Sequence, residues 1–267
     1  MKPIKTTLTA LALISLSIPV MATTPAEKGF KIAERNDLSD AGFGTSSVEL
    51  TMTLADPSGR TTTRELRIDT REKEGEGNGD RSVTVFYSPR DVEGTALLTH
   101  SKVLESDDQW LYLPALRRTK RISSSNKSGP FVGSEFAFED IAGAELGKYT
   151  YTYLDTVTED VAGTEMELDK VECIPAYERS GYSKIHCYFD TDVFQARKFV
   201  FFDRGGQKLK TLTLNDYRQY EGGIWRPHQQ IMTNHITGKT TALNFEDYEF
   251  GVDLNERDFE PDALERL

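Results

Sequence analysis

The run 48-VELTMTLA-55 alternates without a break: Val48, Leu50, Met52 and Leu54 are apolar, and Glu49, Thr51 and Thr53 between them are polar. Successive side chains of an extended strand point to opposite faces, so this pattern fits a strand with one dry face and one wet face, and it fits no helix. The same sorting returns in 64-RELRID-69, 82-SVTVFYS-88, 165-EMELD-169 and 210-KTLTLN-215. Turn-forming residues separate the runs, as in Asp56-Pro57-Ser58-Gly59, the acidic, glycine-rich 72-EKEGEGNGD-80, Arg204-Gly205-Gly206, Glu221-Gly222-Gly223 and Thr237-Gly238-Lys239. About ten or eleven strands are expected, joined by hairpins and therefore antiparallel. Helices are few. The segment 25-PAEKGFKIAERND-37 puts Phe30 and Ala33 at helical spacing behind Pro25 and Glu27 and predicts an N-terminal helix, with short turns within 134–143 and 260–267. The expected fold is mainly β (α+β), one curved antiparallel sheet with a few helices laid on it.

The first 22 residues stand outside that fold. Lys2 and Lys5 precede the apolar run 8-LTALALISLSIPV-20, and Val20-Met21-Ala22 supplies small residues at −3 and −1. This predicts a secretory signal peptide over 1–22, cleaved after Ala22, and a single exported domain over 23–267. The formal net charge is −11, and loss of Lys2 and Lys5 with the leader makes it −13. An acidic exported chain is a poor ligand for nucleic acid. Cys173 and Cys187 are the only cysteines and flank the turn-like 175-PAYERSGY-182, so they are expected to form a disulfide joining neighbouring strands.

Catalytic signatures are missing. His100, His186, His228 and His235 are scattered, and His228 and His235 lie seven apart on one expected strand, which sends them to opposite faces. There is no nucleophile elbow, His-Glu-x-x-His, P-loop or dinucleotide glycine motif. A binding protein without catalytic residues, metal or cofactor is the expectation, and not an enzyme.

One stretch breaks the alternation. In 110-WLYLPA-115 both parities are apolar, which predicts a strand that sits centrally or lines a cavity. The densest basic cluster of the chain follows, Arg117, Arg118, Lys120 and Arg121. Then come a Ser-, Asn- and Gly-rich stretch and the apolar Phe131, Phe136, Phe138 and Ile141. Taken together, 109-QWLYLPALRRTKRISSSNKSGPFVGSEFAFEDI-141, 94-GTALLTH-100, 208-KLKTLTLNDY-217 and 234-NHITGKTTALNFEDYEF-250 closely resemble the LolA-like family of outer-membrane lipoprotein-sorting proteins, over essentially the whole of 23–267. The resemblance implies a curved antiparallel half-barrel whose apolar concave face is covered by helices and a lid. It also implies a periplasmic carrier of a lipid, an acyl chain or a lipoprotein, in transient contact with membranes. Members of this branch stand beside RND-type (MMPL) exporters, so such an inner-membrane exporter is the expected partner.

Withdrawing an acyl chain of about 16 carbons into water costs on the order of 12 kcal/mol, so a carrier must offer an apolar enclosure. The expected wall is Trp110, Leu111, Tyr112 and Leu113. The expected lid is residues 123–141, hinged at Ser123-Ser124-Ser125 and at Gly129 and Gly133, with Phe131, Phe136, Phe138 and Ile141 as its apolar side. Arg117, Arg118, Lys120 and Arg121 at the lid's root are expected to meet an anionic headgroup or an acidic partner. Two rival readings are a sensor or interaction module using the same half-barrel to bind a protein, and an outer-membrane barrel. The single-domain length and the absence of a terminal aromatic favour the carrier.

Overall fold

The computed structural model describes residues 23–72, 78–143 and 145–266. The leader, its cleavage site and the centre of the 72–80 run lie outside these. Helix α1 spans Pro25–Ser39 and is capped by Thr24, whose hydroxyl accepts from the Glu27 amide while the Glu27 carboxylate accepts from the Thr24 amide. Six strands follow as a meander: β1 (Thr45–Ala55), β2 (Thr61–Arg71), β3 (Asn78–Ser88), β4 (Ala96–Lys102), β5 (Asp108–Leu113) and β6 (Arg118–Arg121). A long connection with a single helical turn, α2 (Phe138–Ile141), leads to a second meander: β7 (Tyr149–Val161), β8 (Thr164–Pro175), β9 (Tyr182–Asp190), β10 (Ala196–Asp203), β11 (Lys208–Gln219), β12 (Trp225–Asn234) and β13 (Thr240–Phe245). The two-residue β14 (Glu249–Phe250) then pairs with β1.

The two meanders fuse where β13 pairs with β1. The result is one antiparallel sheet in the order β6-β5-β4-β3-β2-β1-β13-β12-β11-β10-β9-β8-β7, curved into a half-barrel that does not close. There are fourteen strands. The expectation of about ten or eleven falls short because pieces such as Arg-Thr-Lys-Arg of β6 and Glu-Phe of β14 carry no alternation of their own. Bulges in β2–β3, β7–β8 and on both sides of β10 bend the strands.

Strands β6 and β7 are consecutive in the chain yet occupy opposite edges of the sheet. The connection over 122–148 therefore has to cross the sheet. It crosses on the concave side, where Phe131 (1% exposed) and Phe136 (2%) join the main core with Leu50, Met52, Leu66, Phe86, Leu97, Val171 and Met232.

The back of the sheet is covered too. Phe259 and Leu264 of the C-terminal segment pack with Val83, Val85, Ala96 and Leu98. Trp110 and Tyr112 join this cluster, while Leu111 packs on the concave core. β5 is thus apolar on both faces, but it lies next to the edge strand β6 and not at the centre of the sheet. Its second apolar face is explained by the C-terminal cover, from which the Phe259 carbonyl also accepts from His100 Nε2 at 2.7 Å.

Candidate functional site

Residues 123–141 are seated as a plug. Phe131 lies between Phe86 of β3 and Phe138, with ring centroids 5.7 and 5.6 Å away. A backbone bridge joins Pro130 to Ala137, and Val132 (φ 46°) and Gly133 (φ 74°) make the turn between them with left-handed backbones. Polar groups on the otherwise apolar concave face tether this turn. Arg64 of β2 donates to the Val132 carbonyl at 2.6 Å, Gln109 of β5 to the Phe138 carbonyl at 2.8 Å, and Lys210 of β11 to the Glu135 carbonyl at 3.1 Å. Glu135 also takes the Asn234 amide at 2.7 Å on its carboxylate and gives its own N–H to Thr241. Lys210 forms an ion pair with Asp140 at 2.5 Å, both side chains almost wholly buried. The root is clamped as well: Lys148 donates to the Asp107 carboxylate at 2.5 Å, and Lys127 to the Asp107 carbonyl and, at 2.8 Å, to Ser106.

Sequence reasoning missed these tethers, yet their signal was present. Lys210 shares parity with Leu212 and Leu214, Arg64 with Leu66 and Ile68, and Gln109 with Leu111. A polar side chain in phase with an apolar stripe needs a buried partner.

Beyond the plug the concave face is not filled. A cavity of about 150 Å³ lies between α1, the 139–146 segment and strands β7 to β11. Its interior is aromatic and aliphatic, with Tyr149, Tyr151, Phe199, Phe201, Ile185 and Leu212 among its walls. Helix α1 roofs it: Gly29 sits so close to β7 that a Cβ there would lie 2.6 Å from the Tyr153 nitrogen, and Asn36 reaches the Phe194 carbonyl at 3.1 Å. Burial raises the Tyr149, Tyr151, Tyr177 and Tyr182 phenols well above their ordinary range, so all four stay protonated. Glu139 is raised as well, first by burial and then by the neighbouring Asp140 charge.

None of the eight residues expected as wall and lid lines this cavity. Trp110 and Tyr112 face the back cover, Leu111 packs on the concave core and Leu113 is half-buried in the same strand; Phe131, Phe136, Phe138 and Ile141 pack in the plug. Their neighbours Glu139, Asp140 and Ala142 do line it. Arg117 is exposed in the turn before the edge strand β6, and Arg118, Lys120 and Arg121 are exposed along it; among the described residues only Arg121 of the four has a carboxylate partner, Asp108. Cys173 and Cys187 are buried on adjacent strands at the cavity wall. Their sulfurs are 2.6 Å apart and are placed as thiols, juxtaposed but not bonded. Among the described residues no group of three or more His, Cys, Asp and Glu is placed to hold a metal, and no helix is long and apolar enough to cross a membrane.

Residues 78–266 match a family model described only as that of an uncharacterized protein. A domain from Vibrio parahaemolyticus assigned to outer membrane lipoprotein sorting is 45% identical, over 90% of this chain and 100% of that one, with a TM-score of 0.85. A DUF1329 family protein from Desulfovibrio piger is 26% identical, over 91% of this chain and 100% of that one, with a TM-score of 0.83. A LolA superfamily protein from Nitrosomonas europaea, 21% identical over 87% of this chain and 97% of that one with a TM-score of 0.69, shares the fold. No curated protein matches the chain.

Proposed function

This chain belongs to the LolA-like family of outer-membrane lipoprotein-sorting proteins, and from that premise we propose that it is an exported, periplasmic, non-enzymatic carrier that holds the apolar part of a lipid or lipidated ligand under its half-barrel. The observation that carries the reading is the incomplete filling of the concave face, where an apolar cavity remains between α1 and β7–β11. A void of about 150 Å³ holds a molecule of benzene's size, not an acyl chain. Loading therefore requires the plug, α1 or both to give way, with 123–141 as the lid. Withdrawing three buried phenylalanines costs about 1.5–3 kcal/mol each, and enclosing about ten methylenes returns on the order of 8 kcal/mol, so cargo and plug are near-equivalent occupants.

The cargo moves between an inner-membrane exporter of the RND/MMPL type and the outer membrane. Arg117, Arg118, Lys120 and Arg121, strung along an open sheet edge, meet the anionic membrane surface or an acidic partner at about 1 kcal/mol per residue. Cys173 and Cys187 are bridged in the oxidising periplasm, and the mature chain starts at Thr23. Native mass spectrometry of protein purified from periplasm, followed by lipid extraction, tests the carrier. Bound lipid, an intact mass starting at Thr23 and two non-alkylatable cysteines are expected, whereas lipid-free protein holding a polypeptide instead would mark an interaction module.

A further inference from the structure

The cavity's rim has a chemical polarity that the fold alone does not require. Two carboxylates without a paired cation among the described residues line the cavity, Asp37 from α1 and Glu139 from the crossing segment, while Asp140 beside them is buried against Lys210; no basic side chain belongs to the lining among the described residues. The donors beside them are spent internally. Tyr177 and Ser180 hydroxyls donate to Glu139 at 3.2 and 3.0 Å, joined by the Gly181 amide at 2.9 Å. Tyr182 donates to Asp140 at 2.7 Å and Tyr151 to the Leu146 carbonyl at 2.9 Å, while the Asn36 amide is turned onto the Phe194 carbonyl. Lys210 pairs with Asp140 and is not part of the lining. Asp37 is half-exposed and forms no ion pair among the described residues. An apolar chamber whose polar lining offers acceptors and negative charge, with the phenol donors of Tyr151, Tyr177 and Tyr182 already committed, selects against any ligand that ends in an acceptor-only anion.

We propose that this cavity takes amphiphiles whose polar end donates hydrogen bonds and bears no negative charge, an amine, hydroxyl or amide, and rejects free fatty acids and phosphate-ended lipids, with Asp37 and Glu139 setting the preference. The proposal rests on the carrier reading and adds a sign to it. It also separates two electrostatic tasks: the basic residues lie on and just before β6 at one edge of the sheet, and the acidic side chains line a cavity under β7 to β11, toward the other. Contact with an anionic membrane and exclusion of anionic cargo are thereby compatible in one molecule.

The test is a competition series at constant chain length, with dodecylamine, 1-monolauroylglycerol and laurate each displacing a neutral fluorescent acyl probe from the delipidated protein at pH 7.5 and low salt. The amine and the glyceride should bind at least about tenfold tighter than laurate, a gap in the range that a like charge at close approach produces. The gap should shrink several-fold in Asp37→Asn, which changes one rim residue on the surface of α1, and further in Asp37→Asn/Glu139→Gln. Circular dichroism of each variant separates a changed preference from a changed fold, and Asp37→Asn alone suffices if the double variant unfolds. Laurate binding as tightly as the amine and the glyceride, or a gap unmoved by Asp37→Asn in a folded protein, overturns the proposal. Failure of all three amphiphiles and of the probe to bind would fall first on the carrier reading and would remove this inference with it.

Discussion

The concave face is closed twice, by different means. Beneath β2 to β5, and on toward β11, β12 and β13, the crossing segment is locked from within: buried phenylalanines fill the groove, and Arg64, Gln109 and Lys210 reach up to hold its backbone. Beneath β7 to β10 the helix α1 forms a roof: Ile32 and Ala33 are buried against the core, and its borders are held by Lys28 over the Tyr153 ring, Asn36 on the Phe194 carbonyl and Gln195 on Ser39. The first half is a filled core and the second is a roofed chamber. Closure by a filled groove stabilises; closure by a roof leaves room. For the carrier proposed above, the roofed half offers a guest its first foothold, and further capacity comes as the plug gives way.

That contrast is open to direct attack. The largest effect belongs to Phe131→Ala, which should cost about 3–5 kcal/mol in chemical denaturation, while Phe199→Ala, at a wall that already adjoins a void, should cost less than about 2 kcal/mol. Equal losses would erase the distinction between the halves. Next comes Lys210→Met, which strands the buried Asp140 carboxylate at the seam between plug and chamber. A loss of about 3 kcal/mol is expected, with faster hydrogen exchange across 130–141. Smaller again is Gly29→Ala, whose methyl would drive α1 off the β7 backbone. About 1–3 kcal/mol should be lost, with deprotection confined to 25–39 and faster probe uptake. The smallest concerns pH. The folded protein holds the Glu139 proton more tightly than the unfolded chain does, so this group's share of stability is complete below the ordinary carboxylate range and declines as pH rises through the raised value. The difference between wild type and Glu139→Gln, followed by thermal melts from pH 4 to pH 7, should show that decline; a flat difference would show that Glu139 titrates normally.

Much of the fold was legible. Ser46, Val48, Leu50 and Met52 are buried at every second position of β1, and the helix expected over 25–37 forms over 25–39. Such features are local, and period and capping encode them. The apolar character of β5 on both faces was legible as well, but its cause was not, because the C-terminal segment that covers Trp110 lies about 150 residues away in sequence. The chamber escaped for the same reason. Its walls come from five strands and a helix, each of which contributes only one to four side chains and reads as ordinary core. Trp110–Leu113 stand next to the basic cluster in sequence, whereas the crossing segment carries Glu139 and Asp140 across the sheet to a cavity on its far side. A connection between opposite sheet edges cannot be read from either flanking strand.

In a closed β-barrel the strand count and stagger fix the diameter, and the lumen is a constant of the molecule. Here β6 and β7 end the sheet without meeting, so no such closure condition applies. The radius of curvature is set by whatever occupies the concavity, and each hairpin in the series can take up a small share of any change. For the proposed carrier, capacity is then a variable: guests of different girth are met by flattening or tightening one continuous sheet.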